Sequence, residues 1–478
     1  MSARAGRAPR VRRARRPSLA APSVLALGLA GLAGAAAFDS LTASAQSVDP
    51  RRARTFLVES ARGPRGASPT DRVDSGRTGF ARTALPPSNI HVEWRKALGS
   101  SIDHAPLVDE AGNVLVVAGR GDVVMLGPDG TEKWRAVTGA VQAGPAALLA
   151  DGTVVLVSSG GEAIGVRGGS GSGAGALRFR TRVGRSEGLA PRVAPLALDD
   201  GGVVVATVGE LTVLDAQGNV RARAASPEPL TSPLVSALGK VAFVGASGAV
   251  YLWSPGRDPS RVGSFGAPID GAAALSDDHT LVAVTHGNAQ LTAVDLAKNV
   301  TVTRSAAPGG VYLGPPAMRG DVAYLVHFTT TGSTLLGLDP NGLEVARVVL
   351  ISNPPLLASD GGVSPLVVPP HAGALVDGAG TVVVAAPEGP IGVATSGTAP
   401  SPRRSDVAGG GDVDGGASVA ATTTGTIELV GELVCSRGAS PGGRPASSTS
   451  GLAPAGKGAF IVACSNGALI KVSDKARP

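Results

Sequence analysis

Between residues 112 and 458 one texture returns nine times. A Gly/Asp turn leads into a short run of β-formers, a small turn follows, and an alternating strand runs on to a Gly-Asn or Gly-Thr type turn. "DEAGNVLVVAGRGDVVMLGPDGTEKW", "LADGTVVLVSSGGEAIGV" and "DDGGVVVATVGELTVLDAQGNVRAR" are copies, and "GKGAFIVACSNGALIKV" is the last. Anchored two residues before the first apolar strand position, the copies fall at 112, 152, 201, 239, 279, 320, 380, 417 and 458. A period of about 40 residues with several strands per unit is the mark of a β-propeller. One small sheet cannot bury both faces alone. Radial stacking buries them, and closing the ring removes the exposed ends. With 68 glycines, 36 prolines and 3% aromatics, many short strands are favoured over long helices.

Two steps are long. One contains "GGSGSGAG" (168 to 175), a loop insertion, and the other the Pro-rich "SNPPLLASDGGVSPLVVPPH" (352 to 371). Because residues 352 to 425 are irregular, one anchor is taken as an insertion. The expectation is an all-β chain whose residues 91–478 form a single propeller of eight four-stranded blades, within a range of seven to nine. The hairpin "VVMLGPDGTEKW" (123 to 134) is the middle of one blade, and Trp134 begins its outermost strand. Trp94 in "VEWRKALG" holds a similar place before the first unit. Its strand is expected to complete the last blade, so both chain ends close the ring. Both tryptophans are expected to pack between adjacent sheets, and Phe179 takes that place in "LRFRTRVG".

At these residues a family likeness appears. "GDVVMLGPDGTEKWR" resembles the repeat of the pyrroloquinoline-quinone-like (quinoprotein-dehydrogenase-like) propeller superfamily, and "VLDAQGNVRAR" (213 to 223) and "GLDPNGLEVAR" (338 to 347) are degenerate copies. "APLVDEAGNVLV" (105 to 116) resembles that family's approach to a blade. The resemblance spans about residues 91 to 475. It implies the propeller fold and leaves the activity open. The family's enzymes hold a quinone over a tryptophan-rich platform with an adjacent Cys-Cys pair and calcium. Here Cys435 and Cys464 are 29 apart and there are three tryptophans, so no catalytic residue carries over. The chain is therefore read with the non-enzymatic branch and without a cofactor. Within that branch it resembles the propeller lipoprotein of the outer-membrane β-barrel assembly machinery in repeat type, size and export. It departs in having no lipid-anchor cysteine after its apolar N-terminal run.

The formal charge of +6 is not spread over the chain. Residues 1–45 hold seven arginines and one acid; removing them from the 43 basic and 37 acidic residues leaves 36 of each. That neutrality gives no electrostatic footprint for nucleic acid. The Arg-rich start, the apolar "SLAAPSVLALGLAGLAGAAAF" (18 to 38) and "ASA" before Gln46 follow the order of a secretory signal peptide over residues 1–45. Retention as a membrane anchor is the competing reading, since the run is near spanning length. A periplasmic or secreted monomer with no membrane span is expected after cleavage. Residues 46–90, with eight basic and four acidic residues and no apolar period, read as a disordered linker.

Candidate chemistry is sparse. "GLAPAGKG" (451 to 458) approaches a P-loop, but Gly458 replaces the magnesium-holding Ser/Thr and a strand follows where a helix is needed. "GRSEG" (184 to 188) fits Gly-x-Ser-x-Gly without a strand-to-helix elbow. Asp412 and Asp414 in "GGGDVDGG" are weak candidates for a calcium site, against a plain solvated turn. Cys435 and Cys464 are disulfide candidates in an oxidising compartment, against two buried free thiols. The function expected is a non-enzymatic, protein-binding scaffold of the bacterial envelope. The alternative is a ligand-binding or quinoprotein-like enzyme with its site at the central channel, which requires convergent polar residues there. The expected innermost strands, "APLV", "GPAALL", "APLAL", "SPLV" and "GAAAL", are small and apolar.

Overall fold

The structure is a computed structural model. The structure describes residues 68, 70, 72–86, 90–184, 193–352 (except 270, 286, 288, 330 and 331), 373–385, 391–395, 427–430 and 449–474. All regular elements among them are β-strands, arranged as eight four-stranded blades in a ring, with Phe80–Ala81 added as a fifth strand to the sheet of one of them. Blade 1 comprises Leu107–Val108, Val114–Ala118, Asp122–Leu126 and Glu132–Val137, from the axis outward. Blades 2 to 7 begin at Ala147, Leu196, Val235, Ala274, Gly310 and Leu375.

Blade 8 is made from both ends of the propeller. Thr449–Pro454, Ala459–Cys464 and Ala468–Asp474 supply three strands, and Ile90–Ala97 is the outermost, antiparallel to Ala468–Asp474. The ring is thus closed as expected. The anchor at 417, one of the nine, adds no blade of its own: the strand of that copy within the described residues, Ile427–Val430, is the fourth strand of blade 7.

The second and third strands of the blades are covered on both faces by neighbouring blades. Val114–Ala118, Val154–Val157 and Val203–Ala206 are buried throughout, which is why they read as unbroken apolar runs. Outer strands alternate because one face meets solvent, as in Glu132–Val137. Turns repeat one device. The Asp109 carboxylate accepts from the backbone N–H of Ala111 (2.9 Å) and Asn113 (2.8 Å), and from Asn113 Nδ2 (2.7 Å). Asp215 with Asn219, Asp339 with Leu343 and Asp377 with Thr381 do likewise. The P-loop look-alike is such a connection: Thr449–Pro454 is an inner strand and a short turn leads to Ala459–Cys464.

One expectation needs correcting. The stretch read as disordered linker does not stay so up to residue 90. Ser68 bridges Val108, Thr70 bridges Ala147, and Phe80–Ala81 pairs in parallel with Val376 and Asp377. The stretch lacks a period because it builds no blade, and its order comes from tertiary hydrogen bonds. Residues 48–67, like the expected signal region 1–45, lie outside the described residues. No helix among the described residues is long and apolar enough to cross a membrane.

Candidate interaction surfaces and the occupied channel

At the outer rim, aromatic residues dock on glycines of the next blade. In blades 8, 1 and 2 the fourth strand carries a β-bulge against the third, and the extra residue immediately precedes the docking position: Glu93 before Trp94, Lys133 before Trp134 and Arg178 before Phe179. The bulge re-aims the following side chain along the rim. Trp94 Nε1 donates to Pro128 O at 2.8 Å, and Trp134 Nε1 donates to Gly169 O at 2.8 Å. Their rings cover Gly130 (φ 81°) and Gly175 (φ 78°), where an added Cβ would lie 2.8 Å and 3.2 Å from the ring. Phe179 covers Gly218 (φ 85°) with a corresponding 2.3 Å. These glycines supply both the left-handed turn and the seat for the ring. Trp134 is the third residue of its strand, two positions later than expected, because Glu132 and Lys133 already pair or bulge.

The bulged residues also account for the basic rim. Lys133 Nζ donates to Asn113 Oδ1 at 2.6 Å, and Arg178 and Arg221 pair with Asp151 and Asp200. Arg180 with Glu162 (2.8 Å) and Arg223 with Glu210 (2.7 Å) complete the ladder. Arg180 and Arg223 also donate to the preceding blade's Thr138 O and Arg182 O. The two carbonyl bonds tie neighbouring blades together, and the other contacts hold each cation within its own blade.

The inner edge is taken by the chain itself. Ser68 and Val108 exchange backbone hydrogen bonds at 3.1 and 2.8 Å, which engages blade 1, and Thr70 engages blade 2. Further along, Ser236 N–H donates to Ser75 O, Leu275 N–H to Gly76 O, Met318 N–H to Thr78 O and Val376 N–H to Gly79 O, all at 2.7–3.0 Å. Those four residues lie on the innermost strands of blades 4, 5, 6 and 7. Gly458 N–H of blade 8 donates to Ala84 O at 2.7 Å. Blade 3 is reached through Arg77, whose Nη2 donates to Ala194 O and Pro195 O. Residues 68–84 are therefore bonded to every blade of the ring, which places them in the axial channel.

Two arginines anchor this segment. Arg77, 0% exposed, also donates from Nε to Leu234 O (3.0 Å) and from Nη1 to Thr70 Oγ1. Arg72 donates to Ala374 O at 3.2 Å and to Pro316 O, on blades 7 and 6. Asp74 accepts from Gly76 N–H, Thr78 N–H and Thr78 Oγ1, folding residues 74–78 into a turn. Burial pushes the Asp74 carboxyl above its ordinary value, against the Thr78 hydrogen bonds and the charges of Arg82 and Arg77. Apolar Val73, Ala81 and Leu85 join the core between blades 7 and 8. The innermost strands expected to be small and apolar are so, and polar contacts to them come from this segment.

The remaining candidates are placed as follows. Asp412, Asp414 and Cys435 lie outside the described residues, as does most of "GRSEG". Cys464 is fully buried at the end of Ala459–Cys464 and is disulfide-bonded. Among the described residues no group of three or more His, Cys, Asp or Glu is placed to hold a metal ion. In blade 6 His327 is buried beside Tyr312, ring centroids 5.6 Å apart, and its Nε2 has no hydrogen-bond partner. Burial, then the Arg347 charge, pushes its imidazole below the ordinary value. The linker arginines were missed by sequence reasoning. The signal was there in "VDSGRTG", an Asp-x-Gly-x-Thr turn of the chemistry that punctuates the blades.

Comparison with known proteins agrees with this geometry. The profile of a family described as outer membrane protein assembly factor BamB matches residues 59–255. Over those residues the chain is similar to that family, and its fold is a propeller of eight blades. BamB from Moraxella catarrhalis superposes with a TM-score of 0.50 at 16% identity, covering 82% of this chain and 99% of that one. A computationally designed protein, Ika8, superposes at 0.53 with 13% identity, covering 79% and 98%. At those identities the likeness speaks for the propeller fold alone. No curated protein matches the chain in sequence.

Proposed function

We propose that this propeller is an exported, non-enzymatic protein-interaction scaffold of the bacterial cell envelope, acting as a monomer. The observation that carries this reading is the occupied channel. Enzymes and ligand binders of propeller form need convergent polar groups facing a cavity. Here the inner edge is bonded to residues 68–84, so recognition falls to the turns and outer strands. The family match over 59–255 to an outer membrane assembly factor and the export-type N-terminus support the same reading and the extracytoplasmic location. The partner is then an envelope protein that docks on the rim or on one face.

The test uses protein beginning at Gln46, cross-linked in a detergent-solubilised envelope extract of its own source, with bound proteins identified by mass spectrometry. One envelope protein recovered reproducibly, and lost when the bait is heat-unfolded, is the expected result. Empty capture across several detergents, together with saturable binding of a small ligand in calorimetry, sinks the reading.

A further inference from the structure

We propose that the inner edge of the ring is a peptide-binding site for a tightly turned, arginine-bearing segment, a site that residues 68–84 of this chain fill in cis. Innermost strands of a propeller present one unpaired row of N–H and C=O groups to the axis, and such edges accept a peptide by backbone hydrogen bonds, here one or two from most blades to a turned segment. The row here donates from Ser236, Leu275, Met318 and Val376 and exchanges bonds with Ser68 through Val108. Backbone pairing alone is indifferent to sequence. Specificity comes from two sockets of main-chain carbonyls.

The first socket joins blades 3 and 4. Ala194 O, Pro195 O and Leu234 O converge on Arg77, which is fully buried. The second joins blades 6 and 7, where Pro316 O and Ala374 O face Arg72. This socket is shaped for the guanidinium. A Cβ on Gly373 would lie 1.7 Å from Arg72 Nη1, and one on Gly79 would lie 2.9 Å from Nη2. Only residues without a side chain leave room there. A guanidinium offers five donors in a plane and suits several acceptors at once; an ammonium cannot span them. Buried carbonyls without donors are costly, so the sockets select for arginine at both positions, five residues apart. A peptide with that spacing, turned between its two arginines, is the ligand class. The inference stands apart from the proposed envelope partner, since it concerns a different surface.

The experiment keeps the whole chain. A protease recognition sequence is inserted between Pro86 and Ile90, and the uncleaved protein must match the parent in melting temperature. After cleavage the N-terminal fragment is expected to co-elute with the ring under native conditions. A labelled synthetic peptide covering residues 66–86 is expected to exchange into the cleaved ring, while peptides with Arg72→Lys or Arg77→Lys compete at least tenfold more weakly. Loss of the fragment on cleavage with an unchanged melting temperature overturns the proposal. So does equal competition by the lysine peptides, which would mean that the sockets read no guanidinium.

Discussion

Two stretches that precede the first blade close the ring in opposite ways. Ile90–Ala97 closes it from outside, as a regular strand with a continuous register against Ala468–Asp474 and one bulge. Residues 68–84 close it from inside, through isolated bridges, single backbone bonds and two buried arginines. The outer closure rests on strand pairing and a half-buried tryptophan. The inner closure rests on polar groups removed from water, each dependent on a particular partner. Periodic pairing tolerates substitution because neighbouring bonds share the load, whereas socketed polar contacts do not.

The sharpest way to break this comparison is Arg77→Met. It strands three buried carbonyls, and unsatisfied buried groups cost about 1–3 kcal/mol each, so a loss on the order of 3 kcal/mol or more is expected in chemical denaturation. If Arg77→Met costs less than Trp94→Ala, the inner contacts are not the more demanding ones. A second probe concerns blade 8, where both closures end. We propose that Cys464 pairs with Cys435, the only other cysteine. Peptide mapping without reductant should recover the linked pair, and reduction should lower stability by about 2–4 kcal/mol.

Trp94→Ala should cost about 2 kcal/mol, from the lost Pro128 hydrogen bond and the ring's cover over Gly130. Gly218→Ala should approach that figure by colliding with Phe179, while Gly99→Ala, also at positive φ but with nothing within 4 Å, isolates the backbone strain. The smallest effect is a pH dependence. His327 is held neutral by burial, so its folded value lies below the ordinary 6.5. The unfolded chain then takes up the proton first, and stability falls as pH drops from about 6.5 towards the folded value. Melting curves between pH 7.5 and 5 should show a slope that His327→Gln reduces. An unchanged slope removes His327 as its cause.

The legibility of these parts follows from their physics. Blade strands were readable because burial on both faces forces unbroken runs such as Val114–Ala118, and because Asp-capped turns need Gly and Asn at fixed offsets. The closing strand was readable from Trp94, since a lone tryptophan before the first unit echoed Trp134. The position of Trp134 within its strand was misjudged because a bulge adds a residue without altering composition. The inner segment was opaque for a different reason. Its partners are main-chain N–H and C=O groups of all eight blades, which leave no pattern in side-chain identity. Arginines in a Gly- and Ser-rich stretch look solvated until the ring is assembled around them.

Ring closure also sets a clock. Ile90–Ala97 is made before blades 1 to 7 and its hydrogen-bonding partner Ala468–Asp474 after them, the two joined also by the Lys471–Glu93 ion pair at 2.9 Å. Until then blade 8 cannot exist, and the preceding blades wait as an open arc with a raw edge at each end. A ring that closes only when its eighth blade arrives stays threadable while the first seven are made.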